Sequence, residues 1–531
     1  MEPSLILLNG KIYTIDEKNP TAEAVAIYQN IIGSVGKTFQ IAKLAGPNTK
    51  VVNLNDMAVI PGITDAHVHF TSYALTTKRV NLDGAVTINE ALNRIKVRVL
   101  KARKGEWILG RGWDKNLWER EGFPRKEDLD EISPENPVAL NCKDGHVMWV
   151  NSVALSAAGI KKDTPQPEGG EIEMDPTSGE PTGILKELAQ TRVREIIPEP
   201  TLEELTEATI EAIEHFQRVG ITAITDSEGT VPLRIFQNLL AQNQLGLRVS
   251  MMFPTENLDA AINYGIQSGF GNDRLKIMAL KIVADGAIGS QTAAMLEGYE
   301  NNPTNKGILR LSEQELSDLI FKSTTNGIGV AVHCIGDRAN RVVLDIIESN
   351  MKKVKNKDSV RYRVEHAQHL TEEDVMRFGK LGVIASMQPI HVALDMDIAD
   401  RHIGERSRWA YPFRTLIDTG AQLAFGSDAP VERFNPFLGI YTAVTRKRNP
   451  DYPEGGWYPQ ENITVQEAVR AYTFGGAYAA GEEDRRGTIA PGKLADMIVL
   501  SQNIFEIPLD QIRETKIEMT IFDGEIVHER T

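Results

Sequence analysis

Eight short apolar runs, most of them separated by segments with helical patterning, constrain the fold of this chain more than any other feature. Their β-branched residues are typical of strands, and parallel strands need crossover connections that are usually helices. This alternation predicts an α/β fold with a parallel sheet, and eight such units favour closure into a (β/α)8 TIM barrel. The candidate strands are Ala58–His67, Ile221–Asp226, Gly246–Phe253, Leu275–Val283, Ile328–Cys334, Arg361–Glu365, Gly382–Met387 and Gln422–Phe425.

Helix boundaries between these strands carry recognisable signals. Thr201, Ser312 and Thr464 are each followed three residues later by Glu, which is the capping-box pattern of a helix start. Gly220 and Gly327 stand where the first two of these helices are expected to end, because a left-handed residue is favoured there. These signals support the helical connections that a barrel requires.

Two parts of the sequence do not belong to a bare barrel. Residues 70–200 form a long insertion after the first strand, with helical patterning at Thr87–Arg103 and hairpin patterning at Gly169–Gly183, and we expect this insertion to be a lid or a wall of the substrate site. Both chain ends contain strand-like runs with Asn-Gly or Asp-Gly turns. They predict one small β-sandwich domain made of residues 1–57 and 484–531, outside a barrel domain of residues 58–483.

The net charge of the chain limits the classes of partner that it can bind. The 531 residues include 58 Lys and Arg against 73 Asp and Glu, a formal net charge of −15. Such an acidic chain is unsuited to nucleic acid or to an anionic membrane surface, so we expect a small-molecule substrate. The chain start has no basic segment or small-residue cleavage site, and no later run reaches transmembrane length, which predicts a cytoplasmic protein.

A pair of histidines ends the first candidate strand. His67 and His69 are one residue apart, so on a strand both side chains point the same way and can grip one metal ion. Taken alone, such a pair is also common on strand surfaces. The two cysteines, Cys142 and Cys334, are too few for a cysteine-built zinc site, so any metal must be held by histidines and carboxylates.

Four further polar residues fall at the ends of other candidate strands. Each alone has an ordinary explanation, such as a hydrogen-bonded imidazole, a lysine that reaches solvent or an aspartate that caps a turn. Together with the histidine pair they come from strands one, four, five, six and eight, and they would converge on the mouth of one pocket, as a metal site requires. These residues are Lys281, His333, His366 and Asp428.

The ligand candidates lie in motifs that run through nearly the whole chain, among them PGITDAHVHF, DGHVMWVNS, LKIVADGAIGSQTA, AVHCIGDRA, EHAQH, GSDAP and PGKLADMIVL. With this combination the chain resembles the amidohydrolase superfamily, and within it the YtcJ-like metal-dependent hydrolases of amidohydrolase family 3, which include N-substituted formamide deformylases. The resemblance implies a binuclear centre, usually of zinc, bridged by a lysine that carbon dioxide has carboxylated. Carried onto this sequence, it assigns His67, His69 and Asp428 to one ion, His333 and His366 to the other, and Lys281 to the bridge.

The chemistry of such a centre agrees with these residue types. An ammonium group on Lys281 would be repelled by two divalent cations, so this residue must be neutral or an anionic carbamate, and the carbamate satisfies both charge and ligand number. A metal-bridging water has its pKa lowered from about 15.7 towards about 7, which supplies hydroxide at neutral pH. Asp428 would then act as a general base towards that water and as a general acid towards the leaving nitrogen.

Residues outside the ligand set are candidates for contact with the substrate. His146 lies in a motif of the insertion and would hydrogen-bond the substrate, the alternative being a histidine packed beneath Trp149. Trp113 would line the pocket or anchor a glycine-rich turn, and His391 follows strand seven, where it can reach a substrate. Gln291 stands where the family commonly has Arg, which puts in doubt a contact from that position to an anionic substrate group.

Three functions are open from the sequence. The first is hydrolysis of an amide or formamide C–N bond in a small molecule. The second is deamination of a heterocycle, but mononuclear deaminases of the superfamily lack the strand-four lysine and have an acid after the strand-five histidine, whereas this chain has Lys281 and Ile335-Gly336. The third is a non-catalytic scaffold, which the complete ligand set disfavours. Histidine and carboxylate ligands accept zinc, iron or manganese, and the family resemblance implies a homodimer.

Overall fold

The computed structural model describes residues 2–118, 122–143, 145–354 and 360–530. The chain divides into two compact units, one of Met1–Thr71 with Thr209–Thr531 and the other of Ser72–Ala208. None of the helices in these described ranges combines the length and the apolar character needed to cross a membrane.

The strands, in chain order, are β1 Leu5–Leu8, β2 Lys11–Tyr13, β3 Thr21–Ala22, β4 Ala24–Tyr28, β5 Ile31–Gly36, β6 Lys50–Asn53, β7 Ala58–Pro61, β8 Ile63–Val68, β9 Val80–Asn81, β10 Ile108–Trp113, β11 Val138–Cys142, β12 Val147–Val150, β13 Gly170–Met174, β14 Pro181–Glu187, β15 Ile221–Asp226, β16 Arg248–Pro254, β17 Leu275–Val283, β18 Gly329–Cys334, β19 Tyr362–His366, β20 Ile384–Met387, β21 Leu423–Phe425, β22 Met497–Leu500, β23 Ile517–Phe522 and β24 Glu525–Glu529.

The α-helices, in chain order, are α1 Thr38–Ile41, α2 Phe70–Thr77, α3 Ile88–Val99, α4 Lys126–Asp130, α5 Ser152–Ala157, α6 Thr191–Arg194, α7 Leu202–Arg218, α8 Thr230–Ala241, α9 Leu258–Asn263, α10 Glu313–Thr325, α11 Asp337–Met351, α12 Glu372–Leu381, α13 Pro389–Ile403, α14 Phe413–Asp418, α15 Pro436–Thr445, α16 Val465–Arg470 and α17 Gly476–Ala479.

The larger unit contains a nearly closed parallel barrel. Its strands follow the order β8, β15, β16, β17, β18, β19, β20, β21, and every neighbouring pair is parallel. Just after β21 the chain returns to the end of β8, where Asp428 N donates to His67 O at 2.8 Å and His69 N donates to Ala429 O at 2.9 Å. The predicted α/β barrel is confirmed, and the carboxyl ends of its parallel strands share one rim.

The first predicted strand, Ala58–His67, is two strands in the structure. β7 pairs antiparallel with β22, whereas β8 pairs parallel with β15. The partner changes at Gly62, whose N–H donates to Asp496 O at 2.9 Å. A Cβ on Gly62 would lie 2.2 Å from Thr222 Oγ1, so the close approach of the two barrel strands requires glycine at this position.

The predicted helix starts are confirmed by their caps. Ser312 Oγ accepts from Glu315 N at 3.3 Å, and the Glu315 carboxylate accepts from Ser312 N at 2.8 Å, which together form the capping box of α10. Thr464 forms the same arrangement at the start of α16. Gly327 follows α10 with φ at 78°, in the left-handed region that was expected there. These caps satisfy N–H groups that a helix start would leave unpaired.

Strands from both chain ends pair with one another. Among the described residues, one six-stranded sheet has the order β24, β23, β22, β7, β2, β3, and a four-stranded sheet has the order β5, β4, β1, β6. One hydrophobic cluster contains buried side chains from both sheets, including Leu7 and Val25 from the smaller sheet and Val499 from the larger one. That these strands make up a separate sandwich domain with the boundaries given above stays a prediction.

A buried arginine joins the barrel to the sheet that the chain ends share. Arg248 on β16 is 2% exposed, and it donates from Nε to Asp496 at 2.6 Å and from Nη2 to Asp523 at 2.8 Å. Arg274 donates to the other oxygen of Asp523 at 2.6 Å. Such charge-assisted hydrogen bonds are about twice as strong as neutral ones. They hold the barrel strand β16 to the residues next to β22 and β23.

The smaller unit is built on a mixed sheet with the order β13, β14, β12, β11, β10, β9. The helical patterning at Thr87–Arg103 corresponds to α3, whose N-cap is Thr87, and the predicted hairpin corresponds to the antiparallel pair β13 and β14. Trp113, Trp118 and Trp149 pack together in the hydrophobic core of this unit. That residues 70–200 serve as a lid stays a prediction.

Candidate metal centre

The barrel rim brings the six predicted ligand side chains into one cluster. His69 Nε2 lies 3.3 Å from Asp428 Oδ1, and Lys281 Nζ lies 3.4 Å from His67 Nε2. The ring centroids of His67 and His366 are 5.1 Å apart. Because β8, β17, β18 and β19 are parallel, residues at their carboxyl ends lie at the same rim of the barrel. The cluster consists of His67, His69, Lys281, His333, His366 and Asp428.

His67, His69 and Asp428 form one compact part of the cluster. One ligand atom from each of the three lies within 4.8 Å of the others. Asp428 Oδ1 is buried and, although His69 Nε2 lies 3.3 Å away, no donor among the described residues is aligned to form a hydrogen bond with it. Burial raises the pKa of Asp428, but the close contact with His69 and the charges of nearby imidazoles outweigh burial and hold this pKa well below its ordinary value. The result is a buried carboxylate oxygen that a cation would satisfy.

The second nitrogen of each histidine in this pair contacts a neighbouring side chain. His67 Nδ1 lies 2.6 Å from Glu365 Oε2, and His69 Nδ1 lies 3.2 Å from Ser227 Oγ. Both contacts leave Nε2 directed towards Asp428. Burial lowers the pKa of His67 to about 4. Burial also acts to lower the pKa of His69, but the close contact with the Asp428 carboxylate outweighs burial and raises it.

His366 and His333 lie next to each other, with ring centroids 4.5 Å apart. His366 Nδ1 is 2.7 Å from Gln388 Oε1, and His333 Nε2 is 3.3 Å from Gly286 O. These contacts leave Nε2 of His366 and Nδ1 of His333 available to a ligand. Burial lowers the pKa of His366 well below its ordinary value and that of His333 to about 3. Both rings are therefore neutral, the form of histidine that binds metals.

Lys281 on β17 is the amine of the cluster, and the residue is partly buried. Burial lowers the pKa of Lys281, although the carboxylates of Glu365 and Asp428 act in the opposite direction. The net shift is towards the neutral amine, because burial disfavours the ammonium form more than the two carboxylates favour it.

The backbone that carries Asp428 is held against β8. Asp65 Oδ1 accepts from Ser427 N at 2.9 Å and from His67 N at 3.2 Å, and Ser427 Oγ donates to the other carboxylate oxygen of Asp65. Burial raises the pKa of Asp65 to about 7. Asp428 itself has φ at 59°, a backbone conformation uncommon outside glycine, so its position depends on these contacts.

His391, predicted as a substrate contact, lies at the edge of the cluster. Ligand atoms of His366, His391 and Asp428 lie within 4.8 Å of one another. His391 Nε2 is 3.9 Å from Asp428 Oδ2, and it is buried without a hydrogen-bond partner. The structure thus adds a candidate ligand that the strand-end pattern did not indicate, because His391 lies in the first turn of α13.

Trp113 and His146 lie in the smaller unit. Trp113 is 1% exposed, its Nε1 donates to Leu140 O at 2.8 Å, and its ring packs against Trp149 in the core of that unit. His146 is exposed and forms an ion pair of 3.0 Å with Glu187. Contacts of Trp113 and His146 with a substrate stay predictions.

The donor set fits divalent metal ions. Imidazole nitrogens and carboxylate oxygens are ligands for zinc and for other first-row metals. The histidines with lowered pKa values and the ionised Asp428 are already in the deprotonated states that metal binding requires. The unpartnered Asp428 Oδ1 and His391 Nε2 are buried atoms that an ion would satisfy. The residues present therefore fit a metal centre.

The chain is similar to known proteins along nearly all of its length. Residues 50–528 match the family model described as Amidohydrolase family. Protein LONG AFTER FAR-RED 3 of Arabidopsis thaliana is 36% identical over 94% of this chain and 88% of that protein. Putative amidohydrolase YtcJ of Bacillus subtilis is 33% identical over 98% and 99% of the two chains, and N-substituted formamide deformylase of Arthrobacter pascens is 27% identical over 99% and 98%.

The fold also has a close solved counterpart. The crystal structure of an uncharacterized metal-dependent hydrolase from Pyrococcus furiosus matches with a TM-score of 0.75 and 29% identity, over 94% of this chain and 100% of that one. The match therefore includes the barrel together with most of the residues before and after it.

Proposed function

The chain belongs to the amidohydrolase family and is a metal-dependent hydrolase of that superfamily; from this premise we propose that it cleaves the C–N bond of an amide or formamide in a small molecule. The observation that carries the proposal is the convergence of four histidines, Lys281 and Asp428 at one rim of the barrel, with an ionised but unpartnered carboxylate oxygen at its centre. A C–N hydrolase needs a base for water and a proton donor for the leaving nitrogen, and Asp428 is suited to both tasks.

We assign two ions to this centre. His67, His69 and Asp428 would hold one ion, His333 and His366 the other, and Lys281 would bridge them as a carbamate formed with carbon dioxide. Zinc is the expected metal. When bound, such ions lower the pKa of a coordinated water and polarise a carbonyl group. The lowered pKa of Lys281 supports the carbamate, because an uncharged amine is the form that reacts with carbon dioxide.

The protein side chains would handle the proton and the substrate. Asp428 would take the proton of the attacking water and return it to the nitrogen of the leaving amine. His391 Nε2, 3.9 Å from the other oxygen of Asp428, would hydrogen-bond the substrate carbonyl or serve as a further ligand. Substrate contacts by His146 and Trp113 are part of the same proposal.

The formamide class is suggested by one relative. The protein from Arthrobacter pascens is described as an N-substituted formamide deformylase, and the two chains correspond over 98% or more of their lengths. Substrate choice in barrels depends on loops rather than on the barrel, so amides larger than formamides belong to the same proposal.

The test is turnover of N-alkyl and N-aryl formamides, each with its matched acetamide, by protein expressed with zinc and bicarbonate. Released amine is measured by fluorescent derivatisation. Asp428→Asn should lower the rate by about 10²- to 10⁴-fold, the usual contribution of a general acid–base group. Asp418→Asn is the matched control, because Asp418 is an exposed carboxylate on α14. Metal-loaded protein that releases no amine from the panel, but releases ammonia from amino-heterocycles, would contradict the proposal.

A further inference from the structure

A charged pair lies inside the barrel beneath the candidate metal centre. Arg363 and Glu365 are two residues apart on β19, so their side chains point to the same face, and both are 0% exposed. Barrel interiors are normally filled by apolar side chains, and charged residues are rarely buried to this extent without a specific partner. The pair therefore requires an explanation beyond packing.

Arg363 is held by groups on several strands. Its Nε donates to Glu365 Oε1 at 2.8 Å and its Nη2 donates to Glu365 Oε2 at 3.1 Å. Nη2 also donates to Ala66 O on β8 at 2.7 Å and to Ser386 Oγ on β20 at 2.9 Å. Two parallel hydrogen bonds fix the plane of a carboxylate, and the contacts to β8 and β20 fix the guanidinium in turn.

Glu365, held in this way, contacts and orients the candidate ligand His67. Its Oε2 lies 2.6 Å from Nδ1 of His67, and a carboxylate can only accept, so Nδ1 carries the proton. Lys281 Nζ lies 3.4 Å from the other ring nitrogen, Nε2. His67 is thus held with the lone pair of Nε2 directed into the cluster.

His67 differs from the other candidate ligand histidines in the nature of this partner. In the described part of the chain, the corresponding nitrogen of His69 contacts a serine hydroxyl, that of His366 an amide oxygen, and that of His333 a backbone carbonyl. The carboxylate nearest to His333 Nε2, that of Asp285, is 3.7 Å away and outside hydrogen-bond distance. A carboxylate acceptor makes a histidine a stronger ligand than a neutral acceptor does.

We infer that Glu365 is a positioning residue, which together with Arg363 fixes the tautomer and ring orientation of His67 and so sets the affinity of the site for its first ion. This inference rests on the proposed metal centre. The structural alternative is that Glu365 serves only as the counter-charge of Arg363, in which case the contact with His67 has no effect on metal binding.

The experiment compares two buried Glu-to-Gln substitutions. Glu365→Gln removes the charge at His67, whereas Glu482→Gln removes a buried carboxylate that pairs with Arg486 at 2.7 Å and has no hydrogen bond or ion pair with a histidine. Both variants should melt at a lower temperature than the parent chain. Affinity for Zn²⁺, measured by competition with a chromophoric chelator, should fall about 10- to 100-fold in Glu365→Gln and stay within twofold in Glu482→Gln. Equal Zn²⁺ affinity in both variants would overturn the inference.

A double variant and a spectroscopic measurement guard against loss of the fold. Arg363→Met with Glu365→Gln removes both charges, so no unpaired arginine is left in the interior, and it should show the same loss of Zn²⁺ affinity. In metal-free parent protein with ¹⁵N-labelled histidine, the signal that disappears in His67→Asn should have the shifts of an Nδ1–H tautomer. An Nε2–H tautomer would overturn the inference, whereas failure of the parent chain to bind Zn²⁺ would instead refute the proposed metal centre.

Discussion

Replacement of Gly426 by alanine should damage the barrel at the point where β21 meets β8. A Cβ at this position would lie 2.5 Å from His67 N, 2.8 Å from Asp65 Oδ1 and 3.1 Å from His67 O, whereas ordinary contact begins at 3.4 Å. The nearest atom belongs to the backbone and cannot rotate away, so the strands must separate by about 0.9 Å, and overpacking of this kind costs about 1–3 kcal/mol.

The same displacement should weaken metal binding. Asp428 is two residues beyond Gly426, and His67 lies on the strand that would move, so the two candidate ligands would be pushed apart. Metal–ligand distances tolerate only about 0.2 Å, so we expect at least about a tenfold loss of Zn²⁺ affinity, comparable to the loss of a contact behind a ligand.

The assay for Gly426→Ala is a melting curve in excess chelator together with a Zn²⁺ competition titration. Gly289→Ala is the matched control, because a Cβ at Gly289 meets nothing within 4 Å and the residue has no left-handed φ. A melting temperature and a Zn²⁺ affinity in Gly426→Ala that equal those of Gly289→Ala would refute the reasoning.

Three other predictions concern stability and metal content. Arg248→Met should lower the free energy of unfolding, measured in urea, by about 3–5 kcal/mol, because the carboxylates of Asp496 and Asp523 lose this partner. An unchanged urea midpoint would contradict this prediction. Burial raises the pKa of Asp523, but Arg248 and Arg274 together lower it below its ordinary value. The ionised Asp523 therefore stabilises the folded chain above the unfolded pKa of about 3.9, and this stabilisation is lost as the pH falls through the lower folded pKa. The melting temperature should therefore fall between about pH 5 and pH 3, and less steeply in Arg248→Met; parallel curves would contradict the assignment. Dialysis against a chelator should abolish amide hydrolysis and lower the melting temperature, and zinc with bicarbonate should restore both. If hydrolysis recovers equally fast without any source of carbon dioxide, Lys281 does not carry a carbamate.

The barrel could be predicted because its strands are short, apolar and separated by capped helices. The division of the first strand could not be predicted with the same ease, because both halves are continuously apolar and only Pro61-Gly62 interrupts them. Which partner each half takes depends on residues more than 150 positions away in the chain, and no local pattern encodes that choice.

The ligand candidates could be identified because a barrel delivers the ends of its strands to one rim. The groups behind them were missed, since Glu365, Ser227 and Gln388 act through contacts with residues on other strands. One signal was present in the sequence. Arg363 and Glu365 alternate with apolar residues in RYRVEH, which places two charges on one face of a strand whose surroundings are buried.

The smaller unit was the least predictable part. Its helix and hairpin are local features, and they could be recognised from patterning at Thr87 and at Gly169–Gly183. The parallel pairing of β10 with both β9 and β11 joins segments that lie far apart, and three tryptophans fill the space between sheet and helix. Trp113 is accordingly a buried core residue, which agrees with the anchoring role that its glycine-rich motif offered beside a place in the pocket.

The most direct test of a binuclear hydrolase is the metal content of the chain. Protein expressed with zinc and bicarbonate and purified without chelator would be analysed by inductively coupled plasma mass spectrometry, with Asp428→Asn beside it. About two divalent ions per parent chain, and fewer in the variant, is the predicted result. One ion per chain would contradict the bridging role of Lys281, and no ion under metal-replete conditions would contradict the metal centre itself.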